Sequence, residues 1–484
     1  MNKALKSKLN RISKSLLGSD SCFYAFAAFM TLVFFAGGSS RDDVQSLVIL
    51  RPMAVLFGAY ALTCRTREHW KGRLFPLYIT IALLILMVLQ SIPLPPSIWT
   101  ELPGRGMFAD IADLAGIEQP WRPLTLTPSR TLNSLFSLAV PITAIMLYLN
   151  LDKVRRTQAI AVIIVLAAVS AAWAALQLAG PARGPLYLYN ITNNGTAVGL
   201  FANRNHQAIM LASTITLLGW YAASNAPTMR LATIKFYISI SGILVIVPLI
   251  FVTGSRAGLV LMVPALVLAM ILIYNGRYRP ETPPTRQKER GKKKRRFSLR
   301  QLILAGSVTV VLIISALSIS LSRSLAFDRL FGNSQLGELR LMLLPTLFKM
   351  IADYLPWGSG FGSFEHVYKV YEPDELLNPS YLNQAHNDWL QLPIEGGAPV
   401  LLIGGAVIIW FLAKLIVLAK NWRSSHFTKY TALTAGFVML CFLAGSVGDY
   451  PLRVPSLIAV FVVLACVFND AIATILRKST KSER

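Results

Sequence analysis

The chain has 484 residues, of which 54% are hydrophobic and only 14% are charged. With a mean hydropathy of +0.54, this composition excludes an ordinary soluble domain or a disordered chain and indicates a polytopic membrane protein. The formal net charge of +24 would favour nucleic acid as the partner of a soluble protein. In a membrane protein, an excess of Lys and Arg can instead lie in the cytoplasmic loops, so the positions of these residues are compared with the predicted topology first.

Apolar stretches of spanning length predict twelve transmembrane helices. A helix needs about 20 apolar residues to cross roughly 30 Å of hydrocarbon. The stretches lie near 22–37, 45–63, 74–91, 131–149, 158–179, 205–223, 234–252, 257–274, 302–321, 398–419, 430–447 and 456–475. We therefore predict an all-α polytopic integral membrane protein whose transmembrane domain covers residues 22–475.

The basic residues follow the predicted topology. With a cytoplasmic N-terminus, the excess of Lys and Arg falls on the cytoplasmic side of the twelve spans, which also places the C-terminus in the cytoplasm. The cytoplasmic parts are a basic N-terminus at 1–21, a basic loop at 275–301 and a tail at 476–484. We interpret the run 286-RQKERGKKKRR-296 as a topology anchor beside anionic lipid, and expect no nucleic-acid partner.

Two segments on the side of the membrane opposite the cytoplasm are too long to be plain connectors, and such segments often carry function. The first, 92–130, has Pro-rich turns around one short amphipathic helix, which we expect to lie flat on the membrane. The second, 322–397, is a large loop between spans nine and ten. It contains a helical stretch at 337–356, a glycine-rich turn at 357–364, and 384-QAHNDWLQLPIEGG-397. We expect the catalytic chemistry in this second loop.

Arginines at the outer ends of spans suggest an anion site. Arg204 and Arg256 are predicted to begin spans six and eight, where a helix N-terminus and a guanidinium together suit phosphate oxygens. Two such ends close together would hold a diphosphate. The alternative is an arginine that snorkels to the interface or pairs with an acid such as Asp449. Arg340 would be a third phosphate ligand or the partner of Glu338.

A histidine in the large loop suggests a general base. His386 precedes span ten and has Asn387 and Asp388 beside it. An imidazole with its ordinary pKa of about 6.5 can take a proton from a hydroxyl at neutral pH. The alternative is a purely structural loop histidine.

The neighbours of Arg204 complete the set of candidates. Asn203 and Asn205 flank it, and His206 follows in the first turn of the span, where a packing or capping role is favoured. The four cysteines show no clustering and are interpreted as buried apolar residues. The chain also has no HExxH, Walker loop or outer DxD pair, so we expect neither a metal nor a cofactor.

Four motifs occur in order between 199 and 397: GLFANRNHQAIML, TGSRAGL, LPWGSGFGSF and QAHNDWLQLPIEGG. Together they resemble the O-antigen ligase and polymerase family of bacterial envelope assembly. One position departs from the family, because many relatives have NPN where this chain has 203-NRN-205. Arg204 is therefore interpreted as specific to this variant.

The resemblance implies a transferase that works on the periplasmic face of the bacterial inner membrane. Its donor would be a glycan on undecaprenyl diphosphate and its acceptor a hydroxyl of a lipid-linked glycan or of lipid A-core. By motif position, His386 is the base and Arg256, Arg204 and Arg340 hold the diphosphate, with Asp449 as a supporting acid. The reaction would be metal-independent and inverting.

Three functions remain open from the sequence. The long outer segments favour a polysaccharide (O-antigen or exopolysaccharide) polymerase, with inner-membrane lipids around it and a separate chain-length regulator as a further candidate partner. An O-antigen ligase would differ only in using lipid A-core as acceptor. A transporter or flippase for an anionic lipid-linked solute would need polar residues deep in its spans, whereas here they gather at the outer edge.

Overall fold

The computed structural model describes most of the chain. The described residues are 18–65, 67–275, 335–377, 381–422 and 426–482. The predicted ninth span and the basic run at 286–296 lie outside them. The backbone of Arg340 is described, but its side chain lies outside the description, as do those of the residues before it in the same helix.

The described residues are mainly helical. The helices are α1 (Ser19–Ala36), α2 (Leu47–Thr63), α3 (Arg67–Trp70), α4 (Phe75–Gln90), α5 (Pro96–Trp99), α6 (Gly106–Leu114), α7 (Pro128–Ser137), α8 (Ala139–Leu149), α9 (Lys153–Ala179), α10 (Arg204–Ala223), α11 (Met229–Thr253), α12 (Arg256–Asn275), α13 (Gln335–Tyr354), α14 (Phe364–Tyr371), α15 (Asp388–Lys420), α16 (His426–Gly445) and α17 (Pro455–Ser482). Two short strands, β1 (Pro93–Leu94) and β2 (Arg122–Pro123), pair antiparallel. Two 3₁₀ turns, Asp374–Leu376 and Pro451–Arg453, complete the set.

The helices agree with a polytopic membrane protein. Among the described residues, seven helical stretches are long and apolar enough to cross a membrane, and α1, α2 and α4 are shorter apolar helices. Every predicted span except the ninth coincides with a helix. The mainly helical architecture is thus consistent with the predicted polytopic membrane protein, while the count of twelve and the orientation stay predictions.

The chain divides into two compact units. The first unit contains Met1–Ala159, Asn333–Lys420 and Phe442–Asn469. The second unit contains Ile160–Gly332, Asn421–Cys441 and Asp470–Arg484. The predicted base therefore belongs to the first unit, and the arginines that begin α10 and α12 belong to the second.

In the second unit, α10 and α12 pack closely and run parallel. A Cβ added to Gly258, near the start of α12, would lie 2.5 Å from the Cβ of Ala208 near the start of α10. At the other ends, a Cβ on Gly219 would lie 2.6 Å from the Cα of Ala269. One close pair lies near the N-termini of both helices and the other lies toward their C-termini. The two helices are therefore parallel and begin side by side.

We predict that Gly258→Val destabilises the protein. The added methyl groups have no space against Ala208, and overpacking of this kind costs about 1–3 kcal/mol. Gly404→Val is the matched control, because a Cβ at Gly404 meets nothing within 4 Å. The measurement is the apparent melting temperature in detergent, and equal melting temperatures for the two variants would contradict the close packing.

α15 is broken near its start. Gly397 has φ 62° and ψ −153°, which divides the helix into a short part at 388–396 and a long part at 398–420. The long part matches the predicted tenth span. The short part lies in the segment that the sequence analysis treated as loop, and it carries several of the residues beside His386.

Candidate active site

His386 and Asp449 face each other in the first unit. Nδ1 of His386 lies 3.5 Å from Oδ1 of Asp449, with 26% of the histidine side chain exposed and 1% of the aspartate. That separation is within ion-pair range but long for a hydrogen bond. Catalytic contacts are often loose before substrate binds. A buried carboxylate beside a partly exposed imidazole is an arrangement suited to proton transfer.

The backbone around His386 is held on both sides. His386 has φ +50°, the one positive φ outside glycine in the described part of the chain. Before it, the N–H of Ala385 donates to Oε1 of Gln391 at 2.8 Å. After it, the N–H of Asp388 donates to the carbonyl of Ser446 at 2.9 Å. Such a conformation is uncommon for a side-chain-bearing residue and persists where surrounding bonds fix it.

Asn387 caps the helix that follows. Its side-chain oxygen accepts from the N–H of Leu390 at 3.3 Å, and its carbonyl accepts from the N–H of Gln391 at 3.0 Å. Asparagine is a favoured residue at this position because it satisfies a helix N–H that has no partner within the helix. Asn387 therefore stabilises the start of this helix.

An ion cluster around Arg453 lies beside the histidine. Nε of Arg453 donates to Oδ1 of Asp388 at 2.7 Å, and both Nη atoms donate to Oε2 of Glu395 at 3.2 Å. Gln391 donates to the other oxygen of Glu395 at 2.9 Å. Although burial by itself lowers the pKa of Arg453, the charges of Glu395 and Asp388 raise it above its ordinary value. Arg453 thus carries a permanent charge at any physiological pH.

The cluster joins the two chain segments that carry His386 and Asp449. Arg453 follows Asp449 by four residues, and its carboxylate partners lie on the short first part of α15, directly after His386. Sequence reasoning missed Arg453 and Glu395. Their pairing joins positions 58 residues apart, and neither residue type in its local context predicts a partner.

Tyr450 packs against the imidazole. The ring centroids of His386 and Tyr450 are 4.9 Å apart. Burial, and next the charge of Asp449, raise the pKa of Tyr450, so its hydroxyl stays protonated. Asn383 and Ser40 hydrogen bond to that hydroxyl. Tyr450 therefore limits how the imidazole can turn.

The glycine-rich turn at 357–364 hydrogen bonds to the C-terminal end of the short helix. The N–H groups of Ser359 and Gly360 donate to the carbonyls of Ile394 and Glu395 at 2.8 and 2.9 Å. Gly358 has φ +81°, and a Cβ there would lie 2.5 Å from the carbonyl oxygen of Glu395. The turn resembles a phosphate-binding loop in composition, but these N–H groups already serve the C-terminal carbonyls of the short helix.

The segment 92–130 reaches the same turn. It contains the predicted amphipathic helix as α6, and Arg105 at its start is 2% exposed. Nη2 of Arg105 donates to the carbonyls of Leu124 at 2.5 Å and Gly358 at 3.2 Å. Burial lowers the pKa of Arg105 to about 10, which still leaves it charged at neutral pH. This segment is thus part of the scaffold of the histidine site.

In the second unit, asparagines occupy the start of α10. Asn203 is the N-cap and its side chain accepts from the N–H of Asn205 at 2.8 Å. The N–H of Arg204 donates to Oδ1 of Asn193 at 3.0 Å. These two N–H groups therefore already have acceptors, and an anion here would be bound by the guanidinium of the partly buried Arg204 and by the helix dipole. His206 is buried, at 1% exposure.

The start of α12 is more open. Arg256 is exposed. Gly254 ends α11 in the left-handed conformation at φ 64°, and Oγ of Ser255 accepts from the N–H of Gly258 at 3.2 Å. The short connection TGSRAG therefore consists of a helix stop, a helix cap and an exposed arginine, directly beside the start of α10.

The predicted site residues thus form one group in each unit, and Arg340 belongs to neither group. The first unit brings together His386, Asn387, Asp388 and Asp449. The second unit places Asn203, Arg204, Asn205, His206 and Arg256 at neighbouring helix starts. Arg340 lies on α13 in the first unit. Within the described part of the chain, no group of three or more potential ligands for a metal ion is found, and metal independence stays a prediction.

The comparison with known families agrees with the motifs. Residues 240–404 match the family profile described as O-antigen ligase. The matched segment includes Arg256, the glycine-rich turn and His386, while Arg204 and Asp449 lie outside it. No curated protein matches the chain.

The match indicates a membrane glycosyltransferase of the O-antigen ligase and polymerase type, acting on lipid-linked glycans. The resemblance to the O-antigen ligases is confirmed for residues 240–404, which contain three of the four motifs; the first motif, at 199–211, lies outside the matched segment.

Proposed function

We propose that the protein is a polysaccharide polymerase that moves a glycan from undecaprenyl diphosphate to an acceptor hydroxyl at the periplasmic face of the inner membrane. The observation that carries the proposal is the buried carboxylate of Asp449 beside Nδ1 of the partly exposed His386. A base oriented by a buried acid is what an acceptor hydroxyl needs in order to attack a sugar at neutral pH.

In this proposal, Asp449 accepts a hydrogen bond from Nδ1–H and so leaves the lone pair of Nε2 as the basic site. Nε2 of His386 takes the proton of the acceptor hydroxyl while the hydroxyl oxygen attacks the anomeric carbon. The bond from that carbon to the diphosphate oxygen breaks on the opposite face, and the polyprenyl diphosphate leaves with the bonding electrons. One displacement inverts the anomeric configuration.

The arginines are assigned to the leaving group. Charge grows on the bridging oxygen as the bond breaks, and guanidinium groups stabilise such charge without any metal. Arg204 and Arg256 begin neighbouring parallel helices, which supports a shared diphosphate contact. Arg340 is assigned to the same role on the strength of its motif position alone.

We predict that Arg256→Ala weakens donor binding. Loss of a charge-assisted contact costs about 1.5–3 kcal/mol, or roughly ten- to a hundredfold in donor affinity. Arg155→Ala is the matched control, because Arg155 lies in the first unit and pairs with the exposed Asp20. The measurement is binding of a polyprenyl-diphosphate oligosaccharide to the purified protein. Equal affinities for the two variants would make Arg256 a structural residue.

The overall proposal is tested by transfer with purified protein in liposomes, with a polyprenyl-diphosphate oligosaccharide donor and EDTA present. We expect product from the wild type, with repeat units lengthened on the polyprenyl carrier. Product on lipid A-core alone would make the protein a ligase. Absence of any product with native donor and acceptor would overturn the transferase assignment.

A further inference from the structure

We propose that the loop between α1 and α2 (residues 37–46), together with Tyr381, forms a binding subsite for the terminal sugar of the acceptor glycan. The inference rests on the proposed function, since it takes His386 as the base. The loop lies far outside the matched segment 240–404, and the proposed role of the subsite is to select the acceptor glycan.

The loop is fixed to the segment that carries Asp449. The N–H and the hydroxyl of Ser456 both donate to the carbonyl of Gly37, each at 2.9 Å. A Cβ on Gly37 would lie 2.8 Å from the Cβ of Pro455, so the two backbones approach as closely as glycine permits. The loop therefore has a defined position relative to the residues around the base.

Tyr450 connects the loop to the histidine. Its ring lies against that of His386, and its hydroxyl shares hydrogen bonds with Ser40 of the loop and with Asn383. Ser40 is followed directly by Arg41. Ser40 thus links the loop, through Tyr450, to the surroundings of the imidazole.

Beyond Tyr450, the loop presents an ordered polar and aromatic surface. Nε and Nη2 of Arg41 donate to the two oxygens of Asp43 at 3.0 and 2.9 Å, and Nη2 also donates to the hydroxyl of Tyr381 at 3.2 Å. Asp43 and Tyr381 are 57% and 52% exposed. Exposed ion pairs of this kind contribute little to stability. Their order leaves donors and acceptors available to a ligand. Nζ of Lys369 lies 5.5 Å from the centroid of the Tyr381 ring, and the rest of that half-exposed ring is open to a ligand.

The chemistry of the reaction identifies the ligand. A general base must lie within hydrogen-bond reach of the proton it removes, so the acceptor sugar has to rest against the surroundings of His386. A sugar ring offers hydroxyls that both donate and accept, together with an apolar C–H face. The guanidinium of Arg41 supplies donors, the carboxylate of Asp43 supplies acceptors, and the ring of Tyr381 suits the C–H face. The donor diphosphate is an anion, so the negative charge of Asp43 would repel it.

The test measures transfer kinetics for Arg41→Ala, Asp43→Asn and Tyr381→Ala in liposomes, with Arg155→Ala as the control. Asp43 and Tyr381 are more than half exposed, and the side chain of Arg41, which is 21% exposed, pairs with these two residues, so the variants are expected to fold. We expect the KM for the acceptor glycan to rise about tenfold, in keeping with the loss of one or two hydrogen bonds. The kcat and the KM for the donor should stay within about twofold of wild type, because neither the base nor the diphosphate contact has changed.

Two results would overturn the subsite while leaving the transferase assignment standing. One is an acceptor KM equal to that of wild type in all three variants. The other is a rise in the donor KM with the acceptor KM unchanged, which would assign the surface to the donor. Failure of the wild type itself to transfer would instead overturn the proposed function, so the two failures are distinguishable.

Discussion

His386→Ala is expected to lose transfer activity by at least about 10²- to 10⁴-fold, the usual contribution of a general base. The substitution removes Nε2, so the acceptor hydroxyl has no group to take its proton. Donor affinity should stay near that of wild type, because the arginines assigned to the diphosphate are unchanged. The measurement is the single-turnover rate in liposomes, together with donor binding in the same preparation.

The chain offers a matched control in His366, an exposed histidine on α14 in the same unit. His366→Ala should transfer at the wild-type rate. Asp449→Ala should fall between the two, because the imidazole remains but loses the carboxylate that orients it. Normal turnover by the His386 variant would remove the base from the mechanism and leave the buried acid without a role.

The sequence predicted the helices well because long apolar stretches leave a chain few alternatives in a membrane. The breaks within helices were harder. The first part of α15 resembles a loop in sequence because its apolar run is interrupted by Glu395 and two glycines. It is helical because the glycine-rich turn binds its last carbonyls and Arg453 neutralises its carboxylates. Contacts of this kind are made by distant residues and leave no local periodicity.

The candidate site divides in the same way. His386 and Arg256 could be identified from the sequence because placing a polar side chain beside an apolar span costs free energy, which indicates a functional role. From the residues alone Asp449 was only a possible partner for an arginine, its supporting role came from the family resemblance, and its contact with His386 depends on how the last helices pack. Arg41 gave no signal, because an Arg–Asp pair in a short loop is ordinary in sequence. Its position near Tyr450 follows only from the fold.

Arg453→Met is expected to destabilise the protein by about 3–5 kcal/mol, the usual effect of removing one partner from a buried ion cluster. The substitution leaves Asp388 and Glu395, which are 7% and 0% exposed, without their cation. The histidine backbone should loosen with them, so transfer should fall as well. The apparent melting temperature in detergent and the transfer rate measure the two effects, with Arg155→Met as the control, because Asp20, the acid that it leaves without a partner, is 70% exposed.

A triple variant separates charge from packing. When Arg453→Met is combined with Asp388→Asn and Glu395→Gln, no charge remains buried, so the large cost of leaving carboxylates without their cation is removed. The triple variant should therefore melt well above the single variant, a non-additive result that is expected only for residues in one network. If the activity returned with the stability, the cluster would serve only to hold the fold. We expect stability to return and activity to stay low, because amides cannot reproduce the bonds that set the position of His386.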